Sequence, residues 1–309
     1  MTRERKSKMK RWQKGFMAAV MMVLAATVLG CGKSDTTPKK ASDAPAKTPK
    51  AATQYVTVKG SDTMVHLVSA WAEAYMKANP HVNISVTGGG SGTGIAALIN
   101  GTTDICAASR EMKASEVEKA KANGVEPVET AVASDGIAVI VNPGNPVSEL
   151  TQDQIGKIYT GAYTNWKEVG GPDGRIVVLS RESSSGTYVF FQEHVLKMKD
   201  YTPEARLLPA TSAIIQSVSS DKWAIGYVGL GYASEAAGRV KVLRVKASET
   251  GRAVMPSEAT VKSGEYPIAR PLFLYTGANA SSAVKAFLAY TLSVAGQKIV
   301  TEGGYVAIK

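Results

Sequence analysis

VNISVTGGGSGTGIAALIN, residues 82–100, is the stretch on which the fold turns. Val82, Ile84 and Val86 alternate with polar residues, the period of a half-covered strand. Residues 87–94 are glycine, serine and threonine, which end a strand. Residues 95–100 then read as a helix. The same order recurs on both sides. Residues 55–59 alternate as a strand, Gly60-Ser61-Asp62-Thr63-Met64 is a small-residue loop, and residues 65–78 carry apolar positions at helical spacing. Residues 103–107 read as a third strand, leading through Ser109-Arg110 to a polar helix over 115–123.

Further along, residues 136–141 and 175–179 read as strands. Helices follow from about 150, over 188–198 and over 213–220, with another strand at 224–228. Residues 267–276 are strand-like and 281–300 read as one long amphipathic helix. Alternation of this kind predicts an α/β protein with mostly parallel sheets. In such sheets ligands gather at the carboxyl ends of strands, where helix N-termini converge.

Residues 181–187, RESSSGT, join a strand to a helix and place an arginine beside hydroxyls and a glycine. Hydroxyl residues there are ordinary capping chemistry. An arginine in the same loop adds a fork that matches an oxyanion. Three such loops suggest one converging anion pocket. Phosphoryl transfer is disfavoured, because residues 88–94 lack the Lys-Ser/Thr ending of a nucleotide loop. Serine hydrolysis is disfavoured too: Ser91 has Gly89 before it but Thr93 where a nucleophile elbow has glycine. Reversible binding asks only for donors, so the expectation is a binding protein and not an enzyme.

The formal charge of +10 divides as +6 in residues 1–30, +3 in 31–54 and +1 in 55–309. The basic excess therefore lies in the leader and tether, and no nucleic-acid partner is expected. His66, His81 and His194 have no metal-site spacing, so neither metal nor cofactor is expected. Cys106, in an apolar context, reads as a buried small residue.

Residues 1–14 carry seven Lys/Arg and one acid, and residues 16–29 are an apolar run too short for a comfortable span. Val28-Leu29-Gly30-Cys31 resembles a bacterial lipobox, which implies lipid on Cys31. Residues 32–54 have the composition of a flexible tether.

Gly60-Ser61-Asp62-Thr63-Met64, Gly90-Ser91-Gly92-Thr93-Gly94, Ala108-Ser109-Arg110 and Arg181-x-x-x-Ser185-Gly186-Thr187 together resemble the substrate-binding proteins of phosphate ABC importers, the PstS-type family. The likeness covers residues 55–309 and takes in Asn142-Pro143, Trp166 and Arg270-Pro271-Leu272-Phe273-Leu274-Tyr275-Thr276. It implies an α/β, two-lobed periplasmic-binding-protein fold of type II, with ligand in the cleft between lobes. Lobe one would hold residues 55–137 and 266–309, and lobe two 138–265.

The implied phosphate ligands are Ser61, Thr63, the backbone N–H of Met64, Ser91, Gly92, Ser109, Arg110, Arg181, Ser185, Gly186 and Thr187. Many relatives carry an aspartate where this chain has Arg110. Asp135 is the candidate replacement acceptor, an ion-pair partner for Arg110, or a residue that merely pairs at the hinge. The implied function is capture of inorganic phosphate outside the cytoplasmic membrane, by a lipid-anchored monomer, and delivery to an ABC permease. Sulfate, molybdate or tungstate as ligand, and phosphate sensing without transport, remain alternatives.

If Cys31 carries the lipid, Cys31→Ser moves the protein from the membrane pellet to the soluble fraction. Pelleting like the unmodified chain counts against the anchor.

Overall fold

The computed structural model describes residues 52–308; the leader and Cys31 lie outside the described residues. Three strand–loop–helix units open the chain. β1 (Gln54–Gly60) runs through a 3₁₀ turn, Asp62–Met64, into α1 (Val65–Ala78). β2 (Val82–Thr87) leads to α2 (Ser91–Ile99), and β3 (Ile105–Ala108) to α3 (Ala114–Ala122). The long β4 (Pro127–Val141) follows. Then come β5 (Glu149–Thr151), α4 (Gln152–Tyr159), β6 (Val177–Arg181) and α5 (Gly186–His194). Next are β7 (Arg206–Leu208), α6 (Thr211–Ser220), β8 (Ala224–Gly229) and α7 (Leu230–Glu235). The short β9 (Lys241–Val242), β10 (Arg244–Lys246), β11 (Ala253–Val254) and α8 (Glu258–Lys262) precede β12 (Ala269–Gly277). α9 (Ser282–Thr291) and α10 (Val294–Glu302) close the described chain.

The main sheet has the order β2-β1-β3-β12-β4-β8-β6-β7, with β9 on β4. Its flanks are parallel, as the alternation predicts. Its middle is not: β12 pairs antiparallel with β3 and β4, and β4 pairs antiparallel with β8. The expectation of mostly parallel sheets is corrected here. The first half of β4 alternates polar and small residues with partial exposure, so its length was hidden in the sequence.

Four apolar clusters pack on this sheet, two of them large. One gathers residues of β1–β3, α1, α9 and α10, including Trp71 and Phe287. The other gathers residues 137–268, including Trp166, Phe191 and Tyr227, together with Val306. They meet on β4 between Ala133 and Ile137, and at the start of β12 between Ile268, just before the strand, and Leu272. The pair in register at that meeting is Asp135 and Arg270.

Residues 281–300 are two helices and not one. Ser293 caps the second, its Oγ accepting from Gly296 N–H at 3.1 Å. Trp71 Nε1–H donates to Gly296 O at 2.8 Å, tying the break to the core. α2 begins four residues earlier than its apolar spacing implied. Gly94 lies inside that helix because β1 crosses so close that a Cβ would sit 2.5 Å from Lys59 O. Among the described residues no helix is long and apolar enough to cross a membrane.

Gly94→Ala adds helix propensity but collides with backbone. It is expected to destabilise by about 1–3 kcal/mol, read as a lower melting temperature in calorimetry. An unchanged or higher melting temperature would contradict that close approach.

Candidate functional site

The loops after β1, β2, β3 and β6 converge. Ser61 Oγ donates to Ser109 Oγ at 2.9 Å, and Ser109 Oγ lies 3.2 Å from Ser91 Oγ. Ser109 N–H also donates to Ser91 Oγ at 3.0 Å. Gly186, the first residue of α5, presses on this trio: a Cβ there would sit 2.3 Å from Ser91 Oγ and 2.7 Å from Ser109 Oγ. Only glycine fits. Beside them Thr63 Oγ1 and Thr187 Oγ1 are 2.8 Å apart. All six residues are buried.

Local sequence explains the placement. Ser185 caps α5, its Oγ accepting from Thr187 N–H and Tyr188 N–H at 3.2 and 3.3 Å. Ser91 opens α2. First-turn N–H groups of a helix have no acceptor within it, so the two N-termini bring donors to one spot. Gly92 N–H is engaged with Ser184 O at 2.9 Å, which clamps the second loop to the fourth. Met64 N–H, expected to face the ligand, closes its own turn onto Ser61 O at 3.0 Å.

Arg181 is buried, but its nitrogens all have protein acceptors. Nε donates to Leu208 O at 3.2 Å, Nη1 to Thr211 Oγ1 at 2.8 Å and Nη2 to Pro209 O at 2.8 Å. Nη2 also lies 3.0 Å from Asp62 Oδ2, which accepts from Thr211 N–H at 2.8 Å. Asp62 and Thr211 belong to the constellation and were not singled out from sequence. Asp62 stood inside a quoted motif; a hydroxyl-rich loop gave no hint that its one acid would cap a distant helix.

Arg110 does not meet Asp135, and the expected pairing between them is corrected. Its Nη1 and Nη2 each donate to Glu116 at 2.8 Å, and Nη1 also reaches Glu111 O at 2.8 Å. Burial raises the Glu116 carboxyl, but hydrogen bonds from Arg110 and Lys113 N–H with their charges outweigh it and leave it below its ordinary value. The arginine turns toward α3 because Glu116 opens that helix, three residues beyond Lys113.

Asp135 pairs instead with Arg270, 3.5 Å from Oδ2 to Nη2, and its Oδ1 accepts from Leu230 N–H at 3.0 Å. Burial raises the Asp135 carboxyl, with Arg270 and the Leu230 N–H opposing. Burial lowers the Arg270 guanidinium to about 10, so it stays charged at neutral pH. Arg270 Nη2 also donates to Thr187 Oγ1 at 2.8 Å. The sequence offered Arg270 only as part of a strand. Cys106 is buried and its thiol is pushed up to about 12 by burial, so it is inert packing. Among the described residues no group of three or more His, Cys, Asp or Glu could hold a metal.

Residues 45–295 match the model of the PBP superfamily domain. The phosphate-binding protein PstS of Staphylococcus haemolyticus is 33% identical over 306 residues, 97% of this chain and 93% of that one. PstS of Bacillus subtilis is 35% identical over 294 residues, covering 94% and 92%. Among solved structures, a phosphate ABC transporter substrate-binding protein with bound phosphate from Clostridium perfringens superposes with a TM-score of 0.75. It is 34% identical and covers 83% of this chain and 100% of its own.

Arg181→Ala strands the Asp62 carboxylate and is expected to cost about 3 kcal/mol of stability, measured by denaturant unfolding. Adding Asp62→Asn should return part of that loss, since the leftover charge is what costs. A double variant no more stable than the single would show that the ion pair is not the cause.

Proposed function

The chain belongs to the PBP superfamily, and we propose that it binds inorganic phosphate outside the cytoplasmic membrane and hands it to an ABC-type importer. What carries the reading is one meeting of groups: a trio of hydrogen-bonded serines and a pair of hydrogen-bonded threonines, drawn from four loops, flank the glycine-opened start of α5. Each hydroxyl can turn its proton outward, and a buried anion must be matched donor for donor to offset lost hydration. Such neutral donors suit reversible binding of an oxyanion.

On this reading residues 55–137 with 266–309 form one lobe and residues 138–265 the other. The two large apolar clusters support that division, except that Ile137, Tyr266, Ile268 and Val306 pack with the second. Ser61, Thr63, Ser91, Ser109, Ser185, Gly186 and Thr187 line the anion. Cys31 anchors the chain, the tether lets it stand off the membrane, and the protein works as a monomer.

Asp135 accepts the proton that phosphate carries and sulfate lacks. Its burial, with the carboxyl raised, favours sharing a proton with a bound anion. Titration calorimetry with phosphate, sulfate and molybdate tests both levels. Phosphate should bind tightest. Asp135→Asn should weaken phosphate by about one to two decades and sulfate far less. Tighter binding of sulfate or molybdate by the unmodified chain overturns the ligand. Equal losses for phosphate and sulfate make Asp135 structural.

A further inference from the structure

Three buried side-chain nitrogens have no hydrogen-bond partner among the described residues: Nε and Nη1 of Arg270 and Nε of Arg110. Burying a charged donor without a partner is strongly unfavourable, so such atoms call for an explanation. Arg270 is the sharper case. Its side chain is 1% exposed, and two of its three nitrogens are unused. The third is shared, at 2.8 Å from Thr187 Oγ1 and 3.5 Å from Asp135 Oδ2.

A guanidinium meant only to neutralise Asp135 would close on it with two short bonds, as Arg110 does on Glu116. Arg270 does not. Its plane is held in place by the Phe190 ring, 5.3 Å from Cζ, and by β12, whose register sets it opposite Asp135. It touches Thr187, which touches Thr63, so it borders the converging hydroxyls. It also lines, with Arg110, a cavity of about 450 Å³ between β12, α5 and the start of α3. Each nitrogen of Arg181, the arginine of the sequence motif, already has one protein acceptor, whereas two nitrogens of Arg270 have none.

We propose that Arg270 is an arginine whose unused Nε and Nη1 donate to the tetrahedral anion, with Asp135 as its buried counter-charge. The inference rests on the anion-site reading above. It gives the site one fixed positive charge amid neutral donors, supplied by the strand that crosses between the two cores.

The test compares Asp135→Asn with Asp135→Asn/Arg270→Gln in the full chain. The second variant leaves a neutral polar pair where an ion pair stood, which folded proteins tolerate. Calorimetry should show phosphate and sulfate both falling about 100-fold between these two variants. Arg270→Lys, which keeps charge but loses the fork, should fall between them and wild type. Equal affinities with and without Arg270 overturn the proposal.

Should the double variant fail to fold, the unmodified chain answers through ¹⁵N-arginine NMR. Phosphate should shift the Arg270 Nε–H resonance and slow its exchange, while Arg181 Nε–H, already bonded to Leu208 O, stays put. The opposite pattern overturns the proposal. If the chain binds sulfate but not phosphate, the ligand reading fails, and the same comparison of variants is then read with sulfate.

Discussion

Where β4 and β12 pass from one apolar core to the other, Asp135 and Arg270 face each other fully buried. Removing one partner of such a pair costs about 3–5 kcal/mol, because the other is left as a bare buried charge. The pair therefore constrains register. A one-residue slip between β4 and β12 would turn one of the two charges to the opposite face. Around it the rest is hung: Leu230 N–H donates to Asp135, placing the start of α7, and Thr187 accepts from Arg270, placing the start of α5. The loop that opens α5 is thereby tied to a charge fixed on the sheet.

The remaining donors are mostly hydroxyls, and this has a physical reason. A hydroxyl donates and accepts, so two can satisfy each other, as Thr63 and Thr187 do, or both turn to a third group. A pocket lined by lysines could not wait in this way; their charges would repel and their burial would go unmatched. Neutral donors at two helix N-termini keep the cost of a dry pocket low while leaving it ready for an anion.

Much of this was legible in the sequence. Strand, small-residue loop and helix stood out at 55–78, 82–100 and 103–123 because period-two and helical spacing change over abruptly at glycines and serines. The grouping of Ser61, Thr63, Ser91, Ser109, Gly186 and Thr187 followed from those loops and their resemblance. What failed to show was long-range choice. Arg110 turned to Glu116, six residues on, and Arg181 to Asp62, more than a hundred residues back. No periodicity reports which acid an arginine will choose. Gly94 misled by being helical for the sake of close packing, and Arg270 was hidden by lying in a strand, where an inward charge has no local mark.

Arg181 and Asp62 nonetheless follow a logic of their own. Their pair joins the first loop to the start of α6, where Asp62 accepts the Thr211 N–H and its negative charge suits the positive end of the helix. Tyr232 OH donates to Asp62 O at 2.9 Å and Tyr305 OH to Thr63 O, so the loop is held from three sides. Asp62 is 20% exposed whereas Asp135 is wholly buried. Asp62 therefore keeps a little hydration that the deep pair lacks, while Arg181 beside it is buried. The two pairs thus do different work: the shallower one fixes a loop to a helix start, and the deeper one fixes two strands in register.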